Sequence, residues 1–178
     1  MASRDSERLF FALWPDPVLR DTIYKATRKA VRASGGKPVP PANFHVTLAF
    51  LGSLAPEAAA VAREAATAIR GQAFELRLDQ LGFWPQPQVV WLGANRVPDA
   101  ARRLAEQLAS GLREGGLQLD PRPFVPHVTL ARKVGKPGEL GSVRPISWMA
   151  QDFVLVHSMT HPSGSEYSVL QRWPLAAA

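Results

Sequence analysis

The sequence predicts a two-lobed α+β domain, and three observations carry that reading. The pentapeptide His-Val-Thr-Leu-Ala occurs twice, beginning at His45 and at His127, 82 positions apart and close to half of the 178-residue length. Short β-prone runs alternate with stretches of helical apolar spacing on either side of both copies. No glycine-rich nucleotide-binding loop supports the competing class, a doubly wound parallel sheet. The spacing is too long for a solenoid and there are only two copies, so a duplicated half-domain explains the repeat better than an array does. Residues 1–178 are therefore expected to form one domain of two interleaved lobes, one around each copy.

The elements follow in order. Leu9-Phe10-Phe11-Ala12-Leu13-Trp14 is an apolar run stopped by Pro15 and Pro17, and it reads as a buried strand. Adjacent Phe10 and Phe11 must face opposite ways, so only one of them can line a cleft. Residues 16–33 carry Val18, Leu19, Ile23, Ala26, Ala30 and Val31 at near-helical spacing, and Ser34-Gly35-Gly36 closes the helix. Lys37-Pro38-Val39-Pro40-Pro41 is a stiff connector into the first repeat strand. Residues 55–70 are alanine-rich, with Pro56 at the start and Gly71 just past the end, the placement that helix entry and exit favour. Phe74–Leu78 alternates and Val89–Gly93 is a compact β-prone run, so the two are expected to form a hairpin around Trp84-Pro85-Gln86-Pro87. Residues 98–113 place Ala101, Leu104, Ala105, Leu108 and Leu112 on one helical stripe. The second repeat strand comes next, then a Gly/Pro/Lys-rich loop over 133–144, and Phe153–Val156 and Tyr167–Leu170 supply two further strands.

Composition narrows the function. The length suffices for a core without disulfides or structural metal. The absence of cysteine removes thiol nucleophiles, disulfides and cysteine-based metal sites together. A formal charge of +6 suits a polyanionic partner without requiring one. The segment from Met1 to Arg8 is polar and lacks the apolar core of a signal peptide, and no apolar stretch approaches the ~20 residues that cross a bilayer. A soluble cytoplasmic protein with no membrane association is the expectation.

In a strand successive side chains point to opposite faces, so His45 and Thr47 share one face while Val46 and Leu48 share the other. His127 and Thr129 repeat the arrangement. Two such strands side by side present two imidazoles and two hydroxyls to one ligand, and those groups favour a phosphate. Cleaving a phosphodiester with water needs a base for the nucleophile, an acid for the leaving oxygen and donors for the charged oxygens. An imidazole titrating near pH ~6.5 can serve as either acid or base at neutral pH. Arg132 suits a phosphate by its guanidinium chemistry, yet at five positions from His127 it points away in a regular strand.

These residues carry a resemblance. Phe44-His45-Val46-Thr47-Leu48-Ala49-Phe50-Leu51-Gly52 and Arg122-Pro123-Phe124-Val125-Pro126-His127-Val128-Thr129-Leu130-Ala131-Arg132 resemble the two His-x-Thr-x motifs of the 2H phosphoesterase superfamily. Within it they are most similar to the bacterial RNA 2′,3′-cyclic phosphodiesterases, historically called 2′-5′ RNA ligases. Arg8–Ala12, Val89–Gly93 and Tyr167–Trp173 extend the similarity over nearly the whole chain. The resemblance implies a bilobal α+β fold, with two pseudo-twofold-related lobes whose antiparallel sheets form a central cleft and whose helices pack outside. It implies metal-independent hydrolysis of an RNA 2′,3′-cyclic phosphate end, or of a small cyclic nucleotide, to a 2′-phosphomonoester. His45 would be the proton donor and His127 the proton acceptor, with Thr47, Thr129 and Arg132 holding the phosphate. It implies no cofactor, and a monomer needing no protein partner.

Two alternatives accompany that reading: reversible 2′-5′ RNA ligation at the same site, and a module that binds a nucleotide or RNA end without turning it over. A metal site is disfavoured, because threonine is a poor ligand and neither Asp nor Glu recurs beside the motifs. His157 and His161 belong to no motif and read as structural or surface residues. Phe10, Phe11, Trp14, Trp84, Trp91 and Trp148 include candidates for base stacking, but read mostly as core.

Overall fold

The computed structural model describes residues 6–178, so Met1–Asp5 of the polar N-terminal segment lie outside the described residues. The strands are β1 (Glu7–Leu13), β2 (Lys37–Pro38), β3 (Val46–Leu54), β4 (Phe74–Leu78), β5 (Gln80–Trp84), β6 (Val89–Gly93), β7 (His127–Arg132), β8 (Ile146–Ala150), β9 (Asp152–His161) and β10 (Gly164–Pro174). The helices are α1 (Pro17–Ser34), α2 (Pro56–Thr67) and α3 (Asp99–Glu114). An α+β architecture results, in which every ladder between these strands is antiparallel.

One sheet runs β10-β9-β1-β3-β7-β6-β5, with β2 added to β7, while β4 and β8 form a separate ribbon. The large sheet has two different faces because its strands alternate. Along β1, Leu9, Phe11 and Leu13 enter the main core while Phe10 and Ala12 enter a small cluster with Val154 and Val156. The helices cover the first face only. Ile23 of α1, Ala59, Ala62 and Ala66 of α2, and the five-residue stripe of α3 all belong to the main core. Three leucines of that stripe, Leu104, Leu108 and Leu112, are essentially inaccessible, and burial of each is worth about 1.5–3 kcal/mol. The opposite face of the sheet is left to the site.

Local chemistry sets the helix ends. Asp16 caps α1, its carboxylate accepting from the Leu19 amide at 2.7 Å, and Pro17 occupies the first helical position. Gly35 ends the helix at φ 65°, a left-handed conformation that glycine adopts without steric cost. α1 and α3 begin at Pro17 and Asp99, the same 82 positions apart as the two histidines. The repeat therefore extends to a whole strand–helix–strand unit. Leu13 lies across from Val46, and Ala12 from Thr47; in the second unit Leu92 lies across from Val128, and Trp91 from Thr129.

One expectation is corrected. Phe74–Leu78 and Val89–Gly93 do not form a hairpin: β4 pairs with β8, Phe74 opposite Ala150 and Leu78 opposite Ile146, whereas β6 pairs with β5, Trp84 opposite Val89. The turn lies at the expected place, over residues 85–88, but the chain has already changed sheets before reaching it. Asp79 makes that change, its amide donating to the Gly93 carbonyl and its carboxylate accepting from the Asn95 amide, both at 2.9 Å. β5 was obscured in the sequence by Gly82. A Cβ there would lie 2.1 Å from the Trp91 ring, so the indole of the cross-strand partner demands the glycine. β8 was likewise missed, although it alternates buried Ile146, Trp148 and Ala150 with exposed Ser147 and Met149. No helix among the described residues is long and apolar enough to cross a membrane.

Candidate active site

β3 and β7 are neighbours at the middle of the large sheet, and the two repeat copies meet there through Val46 opposite Val128. Both valines are fully buried. One step along an antiparallel register from that pair sets His45 level with Thr129 and Thr47 level with His127. The four polar groups thus alternate on the face not covered by helices, each partly accessible between buried neighbours.

Each imidazole is held in the same way. The Nδ1–H of His45 donates to the carbonyl of Asn43, and that of His127 to the carbonyl of Val125, both at 2.8 Å. A carbonyl only accepts, so this bond fixes a proton on Nδ1 and leaves Nε2 as the unprotonated nitrogen of the neutral ring in both copies. The prolines ahead of each motif build the segments that present those carbonyls: Pro41–Asn43 is a single 3₁₀ turn, and Pro126 precedes His127 directly. Asn43 is tied to the sheet edge through Nδ2, which donates to the Ser165 carbonyl at 2.9 Å. Thr47 Oγ1 lies 3.0 Å from His45 Nε2, to which it donates. The Nε2 of His127 makes no protein hydrogen bond among the described residues.

The surroundings of the two histidines differ. His45 sits among Phe10, Trp14 and Tyr167, at ring-centroid distances of 4.9, 5.8 and 5.4 Å. His127 meets Trp84 edge-on at 4.6 Å, and Trp84 packs against Trp91 at 4.9 Å. Burial pushes the His45 pKa down to about 4; its bond to the Asn43 carbonyl opposes this, and the charges of Arg132, His127 and Arg20 add to it. His127 is shifted down as well, by burial first, against its carbonyl bond and with Arg132.

Arg132 reaches both histidines electrostatically because β7 is not regular. Thr129 lies opposite Trp91 and Ala131 opposite Val90, so Leu130 is an extra residue in the ladder. Leu130 and Ala131 are consequently both buried, and Arg132 emerges exposed on the histidine face. β3 has the same irregularity at the same motif position. Thr47 lies opposite Ala12 and Ala49 opposite Phe11, which leaves Leu48 extra and brings Phe50 out, 57% exposed. Phe50 is thus the counterpart of Arg132 in the other half, 6.1 Å from Phe10.

The five residues singled out from sequence, His45, Thr47, His127, Thr129 and Arg132, all lie on this one face. Of its walls, sequence reasoning missed Tyr167 and Phe50, and it offered Trp14 and Trp84 only among stacking candidates read mostly as core, as it did Phe10, the packing under His45. Only the opposed facing of Phe10 and Phe11 signalled it: Phe10 packs on His45, while Phe11 packs on Phe153 and Trp173 in the core. Trp148 is core, 6% exposed. His161 pairs with Glu166 at 3.1 Å on the surface, and His157 lies within β9 opposite Leu9 and Ser168. Among the described residues no three His, Cys, Asp or Glu side chains cluster as metal ligands.

Comparison with known proteins agrees with this geometry. Residues 15–156 match the pattern of the 2′-5′ RNA ligase superfamily. The chain is 33% identical to the RNA 2′,3′-cyclic phosphodiesterase of Escherichia coli, over 96% of this chain and 98% of that one. It is also 33% identical to the protein of the same name from Thermus thermophilus, over 94% and 90%. The crystal structure of E. coli LigT in apo form superimposes with a TM-score of 0.89 over 97% of this chain and 99% of that one, at 33% identity. The structure of that protein complexed with 3′-AMP gives 0.87 at 32% identity, covering 96% and 99%. With its paired histidine strands, its antiparallel sheets and these full-length relatives, the chain belongs to the 2′-5′ RNA ligase superfamily, among proteins named RNA 2′,3′-cyclic phosphodiesterases.

Proposed function

We propose that the protein hydrolyses the terminal 2′,3′-cyclic phosphate of RNA to a 2′-phosphomonoester by two-histidine acid–base catalysis. The observation that carries the reading is the matched pair of imidazoles, each with its proton fixed on Nδ1 by a carbonyl two residues back and its Nε2 left for proton transfer. His127 Nε2 takes a proton from water as the water oxygen attacks phosphorus. The P–O3′ bond breaks, and His45 Nε2 gives its proton to the departing O3′. Thr47, Thr129 and Arg132 hold the non-bridging oxygens, where donors placed at developing charge are most effective. A single chain supplies every group, so a monomer suffices, and no step calls on a metal or cofactor.

The depressed pKa of His45 sets a condition on this scheme. In the free protein the imidazole is neutral at pH 7, and a donor must be protonated. A phosphate charge about 4 Å away is worth about 4 kcal/mol at an effective dielectric of about 20. Each tenfold change in protonation corresponds to about 1.4 kcal/mol, so the substrate charge is large enough to protonate His45 near neutral pH. Substrate therefore binds together with a proton, and the exposed ring of Phe50 offers a stacking surface to the terminal base.

The test is hydrolysis of an oligonucleotide ending in a 2′,3′-cyclic phosphate by the wild type and by His45→Ala and His127→Ala. Loss of turnover in both folded variants supports the scheme, and near wild-type turnover in either overturns it. Recovery of a 2′-5′ linkage when the cyclic-phosphate oligonucleotide is supplied together with a 5′-hydroxyl end, whose oxygen attacks phosphorus in place of water as P–O3′ breaks, would reveal ligation by the same site. Binding of the oligonucleotide without product over long incubation would identify a module without turnover.

A further inference from the structure

Outside the catalytic face lies a cavity of about 910 Å³, between the first turn of α1 and the outer side of β8. Trp14 is shared between the two. Its ring stacks on His45, and the guanidinium of Arg20 lies 4.9 Å from its centroid, so His45, Trp14 and Arg20 form a continuous path from the site to the cavity wall. One arginine of that wall carries uncompensated charge. Exposed Arg144 has no ion-pair partner among the described residues, whereas the Nε and Nη2 atoms of Arg20 are buried away from solvent without a hydrogen-bond partner, and its guanidinium feels the charge of Asp16. Arg172 is matched by Asp152 at 2.8 Å, and the Asp16 carboxylate is engaged as the cap of α1. Between these charges the wall is apolar and open, with Val18 76% and Met149 53% exposed.

The proposed division of labour says which way an RNA leads from the site. If His45 protonates O3′, the ribose of the terminal nucleotide lies on the His45 side of the phosphate and water enters from the His127 side. The rest of the RNA is joined through that ribose. It therefore leaves the site on the side of His45 and Trp14, where the cavity is, and away from Trp84.

We infer that this cavity is a subsite for the nucleotide preceding the cyclic-phosphate end, with Arg144 receiving its phosphate and the Met149–Val18 surface its base. The inference rests on the hydrolase reading and adds that the protein is built for oligonucleotides over mononucleotides. A mononucleotide 2′,3′-cyclic phosphate fills the catalytic site and leaves the cavity empty, whereas a di- or trinucleotide with the same end fills both.

The experiment compares kcat/KM for those substrates in the wild type, in Arg144→Glu and Met149→Glu, and in Arg113→Glu on distant α3 as a control. The dinucleotide should exceed the mononucleotide by at least about fivefold, the size of one exposed charge contact, and more at low salt. Arg144→Glu and Met149→Glu should erase that advantage while mononucleotide turnover stays at the wild-type level, and Arg113→Glu should retain it. Equal use of both substrates by the wild type, or an advantage that survives both cavity variants, overturns the subsite and leaves the hydrolase reading standing. A wild type that opens neither substrate overturns the hydrolase reading and the subsite with it.

Discussion

Val46 pairs with Val128 across β3 and β7, and that pair is the point at which the two halves of the protein become one site. Both side chains are buried beneath the polar face, so the spacing between the histidine copies depends on two apolar residues that touch no substrate. Valine-to-alanine changes here remove buried methyl groups from a packed centre. Val128→Ala should cost about 1–3 kcal/mol in chemical denaturation and lower kcat more than it raises KM, since the transition state depends most on relative placement.

The two histidines should each be indispensable. General acid–base catalysis contributes about 10²–10⁴-fold, so His45→Ala and His127→Ala should each lose at least about 100-fold in kcat while melting cooperatively. Thr47→Val removes both a proposed phosphate donor and the hydroxyl that bonds His45 Nε2, and Thr129→Val removes a proposed donor alone. Steady-state kinetics should show a loss of about 10²-fold or more for Thr47→Val, the scale set by removal of one oxyanion donor.

His45 also ties stability to pH. Its pKa of about 4 in the folded protein lies below the unfolded value of 6.5, so between those values the unfolded chain binds more protons. Stability is therefore full above about pH 6.5 and declines as pH falls toward 4, by at most about 3 kcal/mol from this residue. Urea unfolding from pH 7 to pH 4 should show that decline in the wild type, and His45→Asn should remove much of it.

Arg132 lowers the pKa of both histidines, so its removal should raise both. Arg132→Gln should move the ring-proton titrations of His45 and His127 to higher pH, and KM for a cyclic phosphate should rise. Arg132→Lys should restore most of the titration shift while losing the forked contact, leaving KM elevated.

Gly82→Ala tests the wall behind His127. The added methyl would meet the Trp91 ring, which supports Trp84, which in turn packs on His127. Overpacking of this kind costs about 1–3 kcal/mol, so thermal melting should drop and kcat should fall with it.

Much of the site was legible because the motif carries its own geometry. A strand has period two, so His45 with Thr47 and His127 with Thr129 had to share faces, and duplication placed the two copies together. Arg132 escaped that logic: simple alternation turns it away from His127, and only the extra residue at Leu130 restores it to the histidine face. Such an irregularity is set by the pairing with Trp91 and Val90, which the local sequence does not contain. The aromatic walls were hidden for a similar reason, since Trp14 follows β1, Trp84 ends β5 and Tyr167 lies within β10, and their meeting depends on the whole sheet. β5 and β8 were missed because one holds a glycine that answers to a tryptophan across the ladder, and the other finds its partner about seventy positions back in the chain.

The central claim is that one histidine gives a proton to O3′ while its twin takes one from water. The most direct measurement is product identification on one defined oligonucleotide ending in a 2′,3′-cyclic phosphate, by phosphorus NMR and mass spectrometry in ¹⁸O-water. The account predicts a single 2′-phosphomonoester with a free 3′-hydroxyl and one ¹⁸O on phosphorus, formed at least about 100-fold more slowly by folded His45→Ala or His127→Ala. A 3′-phosphomonoester, or undiminished turnover by either variant, would contradict it.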